Sequence, residues 1–260
     1  MARPRNNKPS AKVEISLQSL LQLEAWFSSN REKIKVALSP SRVSRAVSAS
    51  DLRSISKLVR KVLVFAAEKG IDLEIRPTGL QSNDAEFLRA SPFRKIPALA
   101  DGDFSLADSS AIVHYLEALR PEPNLIPADP QARGRAVWFD EWADTILFGC
   151  GAKMFFNRVV APRFLKIDGD LDLADRAERD ELPPVLDYLE SQIPPSGFLV
   201  EDRLTMADIS VASPFVNLAH LKISLGAWPK TADYVAAILA RPSFAPIVAQ
   251  ENAMFERFAA

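Results

Sequence analysis

The chain has 260 residues, of which 48% are hydrophobic and 25% charged, and its formal net charge at pH 7 is -1. This composition is typical of an ordinary globular protein with one large or two small domains, and the charge gives no overall attraction to nucleic acid or to an acidic membrane. The single cysteine, Cys150, excludes an intrachain disulfide and favours the reducing cytoplasm. Two histidines and one cysteine leave few ligands for zinc, and no apolar run approaches the length of a membrane span. We therefore expect a cytoplasmic protein with no metal, no nucleic-acid partner and no membrane contact.

The N-terminal part differs in charge from the rest. Residues 1–61 carry 13 Lys and Arg against 4 Asp and Glu. We predict that residues 1–45 form a basic extension that is partly disordered or helical. Residues 38–48 superficially resemble the turn and recognition helix of a helix-turn-helix, but that motif needs a firm preceding helix and a packed third one, which this sequence does not provide. A regulator that binds DNA is thus the weakest functional hypothesis.

Hydrophobic periodicity becomes regular beyond residue 54. Residues 55–69 predict a helix with one apolar face, and Gly70 is a typical residue just after a helix end. Residues 71–75 alternate between apolar and polar, which predicts a strand, and residues 84–89 predict a short helix.

The most informative stretch is residues 91–119. It predicts an apolar strand over residues 96–100 with Pro97 near its start, a tight turn at Asp101 and Gly102, a second strand, and a helix that begins near Asp108. Free backbone N–H groups at a helix start, beside capping side chains, form a ready site for an anion. The residues alone therefore predict that this unit binds a small carboxylate.

Four prolines within residues 121–130 indicate a stiff linker, and everything beyond it has helical periodicity. Thr205 and Asp208 form a capping box at one of these helix starts. The predicted fold class is an α/β domain followed by an all-α domain.

Three motifs resemble the cytosolic glutathione transferase superfamily. SPFRKIPAL is similar to its N-P-x-G-K-[VI]-P-A-L element, ADSSAI to its [ED]-S-x-A-I element, and LTMADI to the capping box of its C-terminal domain. The resemblance covers about residues 54–255. It implies a thioredoxin-like glutathione-binding domain over residues 46–120, a linker over 121–130, an all-helical domain over 131–260, and a homodimer.

The resemblance also implies roles for individual residues. Ile96 would pair through its backbone with the cysteinyl part of glutathione, and Pro97 would be cis. Asp108 would face the γ-glutamyl ammonium, Ser109 its carboxylate, and Lys95 the glycyl carboxylate. The alternatives stay open: Asp108 and Ser109 are also ordinary helix-capping residues, and Lys95 is equally typical of a solvated surface.

KLVRKV resembles the end of the family's S-P-[FY]-V-R-K-V element, and this alignment puts Ser56 at the position of the serine that activates the glutathione thiol. The chain departs from the family here, since Lys57 replaces the proline and the preceding segment is polar. The departure is compatible with a strand shifted to about residues 46–49, with a lost activator, or with an altered N-terminus.

The resemblance thus implies an enzyme that activates glutathione for attack on an apolar electrophile. The alternative is a non-catalytic binding or dimerisation module with a degenerate activating strand. Aromatic side chains of the second half either line the pocket for the electrophile or fill the core; they are Trp138, Phe139, Trp142, Phe148, Phe155 and Phe156.

Overall fold

A computed structural model describes residues 45–49, 56–77 and 83–259 of the chain. Residues 1–44 of the predicted basic extension and residues 50–55 before Ser56 lie outside the described residues. The elements in chain order are β1 (Arg45–Ala49), α1 (Lys57–Glu68), β2 (Glu74–Pro77), α2 (Ala85–Ala90), β3 (Ala98–Asp101), β4 (Phe104–Ala107), α3 (Ser109–Leu119), α4 (Pro130–Glu141), α5 (Phe148–Phe155), α6 (Leu171–Arg176), α7 (Leu182–Gln192), α8 (Met206–His220), α9 (Pro229–Leu239) and α10 (Ala245–Ala259).

The described strands form one mixed sheet in the order β2-β1-β3-β4. β1 runs parallel to β2 and antiparallel to β3, and β3 pairs with β4 as a hairpin. A parallel pair needs a crossover connection, which α1 supplies between β1 and β2. The arrangement is thioredoxin-like, as predicted.

β1 is the strand that precedes Ser56, and its position distinguishes between the alternatives given for the polar segment. The strand covers Arg45–Ala49, which agrees with the shifted-strand alternative. It also contradicts the helix-turn-helix interpretation of residues 38–48, because Arg45 to Ser48 are extended rather than helical. The strand escapes detection in the sequence because pairing on both of its sides, rather than a local apolar pattern, holds it in the sheet.

The boundaries of the other N-terminal elements shift only slightly from prediction. α1 ends before Gly70, which has φ +60°, a backbone conformation that glycine adopts without steric cost. β2 begins at Glu74 rather than at residue 71. The hairpin turn lies at Gly102 and Asp103, one residue later than predicted, because Asp101 pairs with Phe104.

Helices make up the rest of the described chain. Three π-helical segments adjoin these helices. They are Trp142–Leu147 between α4 and α5, Phe156–Leu165 after α5, and Ala177–Glu181 between α6 and α7. The predicted capping box of α8 is present, with Thr205 and Asp208 bonded reciprocally. α8 is buried along nearly its whole length, so it forms the centre of the helical part.

The apolar core is continuous between the sheet part and the helical part. Val62 and Phe65 of α1 belong to the same buried cluster as Phe139 of α4 and Ile209 of α8. α1 packs on α3 on one side and on α8 on the other. This helix therefore joins the two halves of the molecule. Within the described residues, no helix combines the length and apolarity that crossing a bilayer requires.

Candidate functional site

The sheet topology brings three predicted site segments to one end of the sheet. Ala98, the first residue of β3, pairs with Ala107, the last residue of β4. Pro97 and Asp108 therefore lie at the same end of the hairpin. Ser48 also pairs with Ala98, so β1 ends there too, and the chain then leads on to the start of α1.

The N-termini of α1 and α3 approach each other at this end. Lys61 in the second turn of α1 donates to the Ser110 hydroxyl in the first turn of α3, with Nζ and Oγ 3.0 Å apart. Each helix start carries partial positive charge and unpaired backbone N–H groups. Two such starts side by side make this end of the sheet suitable for an anionic ligand.

Ile96 and Pro97 lie just before β3, beyond the last paired residue of the hairpin. The peptide bond between them is cis, as expected. Pro97 is buried and Ile96 half-buried. Since Ala98 is the first residue of the ladder, the backbone of Ile96 lies at the open end of the sheet, where an extended ligand could pair with it. Lys95, next to it, is exposed at the surface.

Asp108 caps α3. Its Oδ1 accepts from the backbone N–H groups of Ser110 at 2.9 Å and Ala111 at 3.1 Å. Among the described residues, its second carboxylate oxygen has no hydrogen-bond donor, and the side chain is exposed. Its φ of +82° is a conformation that residues other than glycine rarely adopt, and such residues cluster at ligand sites. Capping therefore accounts for one oxygen and leaves the other available.

Ser109 is the first residue of α3 and only 2% exposed. A buried network holds the next residue. The Ser110 hydroxyl donates to Asp140 Oδ2 at 2.7 Å, and Asp140 Oδ1 accepts from Lys61 at 2.7 Å and from the Ser210 hydroxyl at 2.5 Å. Side chains of α1, α4 and α8 thus fix the start of α3.

Ser56 is the N-cap of α1. Its Oγ accepts from the Val59 backbone N–H at 3.5 Å, and the residue is half-buried. A hydroxyl that accepts in a cap still carries a proton to donate. Ser56 therefore combines a hydroxyl donor with the positive end of a helix, which are the two groups that stabilise a thiolate.

Lys57 and Lys61 face Asp140 and Asp144 across the boundary between the two parts. Burial lowers the pKa of Lys57 to about 8, although Asp144 lies 2.7 Å from its Nζ. Burial alone would also lower the pKa of Lys61, but the two carboxylates outweigh it and raise that pKa. The pKa of Asp144 is lowered, because the two ammonium groups outweigh the effect of its burial.

Sequence reasoning missed this cluster. The sequence does contain the pattern from which it could be found. Lys57 and Lys61 are four residues apart, and so are Asp140 and Asp144, which places each pair on one helix face. Such spacing usually indicates a solvated surface. Only the packing of α1 against α4 shows that these charges are buried.

The aromatic residues of the second half divide by burial. Phe139, Trp142 and Phe155 belong to the core, Trp138 is 46% exposed, and Phe148 and Phe156 are half-buried.

Cys150 is buried, and burial raises the pKa of its thiol to about 11, which makes it unreactive. In the described part of the chain, no three His, Cys, Asp or Glu side chains gather as a metal site would require.

Comparison with known proteins agrees with this geometry. Residues 53–124 match the model of the glutathione S-transferase N-terminal domain, and residues 169–250 that of the C-terminal domain. Glutathione S-transferase 3 of Zea mays is 30% identical over 75% of this chain and 90% of its own length. The chain belongs to the cytosolic glutathione S-transferase superfamily.

Other relatives lie in several branches of the superfamily. A glutathione S-transferase of Hyoscyamus muticus is 28% identical over 75% of this chain and 94% of its own. Maleylacetoacetate isomerase of Rattus norvegicus is 29% identical over 71% of this chain and 84% of its own.

Among solved structures, glutathione S-transferase III in apo form has a TM-score of 0.67 and 29% identity, covering 79% of this chain and 96% of its own. Glutathione S-transferase I bound with lactoylglutathione has a TM-score of 0.71 and 23% identity, covering 79% and 99%. The predicted fold class is confirmed, and at the level of the family the chain is a glutathione transferase.

Proposed function

We propose that this chain is an enzyme that binds glutathione at the open end of its sheet and activates the thiol for attack on an apolar electrophile. The observation that carries the proposal is the meeting of three elements at one place. The same end of the sheet carries the start of α1, the start of α3 and the Ile96–Pro97 segment. The Ser56 hydroxyl lies at the start of α1 and the Asp108 carboxylate at the start of α3. A related structure that contains lactoylglutathione adds support.

Each group has a role in binding. The backbone of Ile96 pairs with the cysteinyl part of glutathione in strand-like fashion. The free oxygen of Asp108 faces the γ-glutamyl ammonium, and the start of α3 at Ser109 receives the γ-glutamyl carboxylate. Lys95 neutralises the glycyl carboxylate at the exposed end of the ligand.

Catalysis then depends on the state of the sulfur. A free thiol has a pKa of about 8.5 and is mostly protonated at neutral pH. The Ser56 hydroxyl donates a hydrogen bond to the sulfur, and the α1 dipole adds to it, so the thiolate becomes the favoured form. The thiol proton leaves to solvent, a sulfur–carbon bond forms, and the leaving group departs from the electrophile with its electron pair. The presence of β1 supports this proposal over the non-catalytic alternative, which assumes a degenerate activating strand.

We further propose that residues 46–120 form the glutathione domain, residues 121–130 the linker and residues 131–260 the helical domain, and that the enzyme is a cytoplasmic homodimer with a role in detoxification. Light scattering tests the dimer.

The decisive experiment removes the hydroxyl of Ser56 and preserves the helix cap. Glycine is nearly as good an N-cap as serine, so Ser56→Gly should cost only a few tenths of a kcal/mol in folding free energy. We expect kcat/KM with a chlorodinitrobenzene-type substrate to fall about 100-fold or more, as for the loss of one donor to a developing anion, with little change in glutathione affinity.

Ser56→Thr is the matched control, since it retains both the hydroxyl and the cap, and it should keep most of the activity. Binding of glutathione by the unaltered protein without turnover of any electrophile supports the binding module instead. Equal kcat/KM for Ser56→Gly and the unaltered enzyme contradicts the role of Ser56.

A further inference from the structure

Lys57 is an unusual residue for the first position of α1. It is only 3% exposed, although lysine is almost never fully buried without partners. Its Nζ donates to Asp144 Oδ1 at 2.7 Å and to the Ala143 carbonyl at 3.0 Å, and it lies 4.3 Å from the centre of the Phe148 ring. The ammonium group thus makes three interactions, all with one short stretch of the helical part.

These contacts join two parts of the proposed site. Lys57 directly follows Ser56, so its backbone belongs to the same helix start that faces the glutathione sulfur. Ala143 and Asp144 lie in the π-helical segment Trp142–Leu147, and Phe148 is the residue after it. Through one side chain, the start of α1 is therefore tied to a half-buried aromatic ring of the helical part.

The stability of the folded protein does not by itself explain why a lysine occupies position 57. Burial lowers its pKa to about 8, so keeping it charged there costs free energy. Asp144 has a second cation, since Lys61 Nζ lies 2.8 Å from its Oδ2. Buried ion pairs are often replaced by apolar residues with no loss of stability. The proline of the resembled S-P-[FY] element could make none of these side-chain contacts.

We propose that Lys57 is a positioning residue that fixes the Phe148 ring relative to Ser56 and thereby sets the selectivity of the enzyme for aryl over alkyl electrophiles. The inference rests on the proposed function, because it takes Ser56 as the group beside the sulfur. The ammonium group lies over one face of the Phe148 ring. A ring held in this way can stack on a flat aromatic group bonded to the sulfur, whereas a flexible alkyl chain gains little from its orientation.

The test compares three ligands by calorimetry: glutathione, S-(2,4-dinitrophenyl)glutathione and S-hexylglutathione. Lys57→Met keeps the length of the side chain and removes the charge. We expect its affinity for glutathione to stay within twofold, its affinity for the dinitrophenyl conjugate to fall about tenfold, and its affinity for the hexyl conjugate to change less than threefold. In kinetics, KM for an aryl electrophile should rise while KM for glutathione is unchanged.

Two further variants complete the design. Lys153→Met is the matched control, since Lys153 also pairs with a carboxylate, Glu181 at 2.7 Å, but lies in α5, and among the described residues its ammonium group makes no hydrogen bond with α1. It should leave all three affinities unchanged. Phe148→Leu should reproduce the loss of aryl preference, and combining it with Lys57→Met should add nothing, because the two residues act through one contact.

The outcomes separate the inference from the proposed function. If the unaltered protein binds none of the three ligands, the proposed function is wrong and the inference falls with it. If the unaltered protein binds them and Lys57→Met weakens all three equally or none of them, the inference is overturned and the proposed function stands. Additive effects of Lys57→Met and Phe148→Leu also overturn the inference.

Discussion

At the scale of single residues, Asp108 shows how one side chain has both a structural and a proposed binding role. Its Oδ1 caps α3 through two backbone N–H groups, and its φ of +82° is a strained conformation that the surrounding hairpin and helix must hold. A cap alone requires neither that conformation nor a charge, because asparagine and serine cap equally well. In the proposed function, the charge of Asp108 binds the γ-glutamyl ammonium group of glutathione.

Asp108→Asn separates these two roles. Asparagine retains a capping oxygen and tolerates positive φ, so the melting temperature should change by little. Loss of the carboxylate charge should weaken glutathione binding about tenfold, as expected for a hydrogen bond between charged groups. Calorimetric titration and thermal unfolding measure the two effects. Equal affinity in Asp108→Asn and the unaltered protein contradicts the assignment to the ammonium group.

At the scale of elements, α1 connects the two halves of the molecule through buried charges. Arg60 is paired with Glu251 of α10 through two hydrogen bonds, at 2.9 Å from Nε and 2.6 Å from Nη2. Both side chains are 0% exposed. The C-terminal helix is thus attached to the same helix whose first turn carries Ser56.

Removal of one partner of this pair leaves a buried charge without compensation. We expect Arg60→Met to lower the free energy of unfolding by about 3 to 5 kcal/mol, and Arg60→Met combined with Glu251→Leu to restore much of it. Urea denaturation measures both. Arg179→Met is the control, since the Arg179–Asp180 pair is exposed at the surface and its loss should leave the free energy of unfolding nearly unchanged. A similar loss in the single and double variants contradicts this account.

At the scale of the whole molecule, stability depends on how titratable groups are buried where helices pack. Burial, with Arg60 and Arg163 nearby, lowers the pKa of His220 to about 4, and its ring stacks on Phe255 of α10 at 3.7 Å between ring centres. Burial raises the pKa of Asp208 to about 6. The two groups act in opposite directions as the pH falls.

Comparison with His220→Phe isolates the contribution of His220 to the pH dependence of stability. Its folded pKa lies below its ordinary value of 6.5, so the unfolded chain binds more protons, and the stability that neutral His220 provides is lost as the pH falls from about 6.5 to 4. We expect the unaltered protein to lose up to about 2 kcal/mol over this range relative to His220→Phe, after allowance for the partial exposure of the ring. Urea denaturation at pH 7 and pH 4.5 tests this, and parallel pH profiles contradict it.

Local chemistry made much of the fold predictable. The hairpin follows from the turn signal around Gly102, although its turn lies one residue later than predicted, the start of α3 follows from Asp108, and the start of α8 from Thr205 with Asp208. Turns and caps are predictable because they depend on residues only a few positions apart. The site residues of α3 and of the Ile96–Pro97 segment could be proposed for the same reason, since motif and geometry coincide there.

Tertiary structure alone decided two features on which the function depends. β1 is short, lies in a largely polar segment, and exists as a strand because β2 and β3 pair with its two edges. Lys57 and Lys61 have the spacing of a solvated helix face, yet they are buried because Asp140 of α4 and Asp144 of the following π-helical segment accept hydrogen bonds from them. By itself the sequence determined the elements with local signals, and it supplied the residues proposed to bind glutathione. The strand that leads to Ser56 and the charges that hold α1 in place depend on residues far apart in the chain, which only the packed structure brings together.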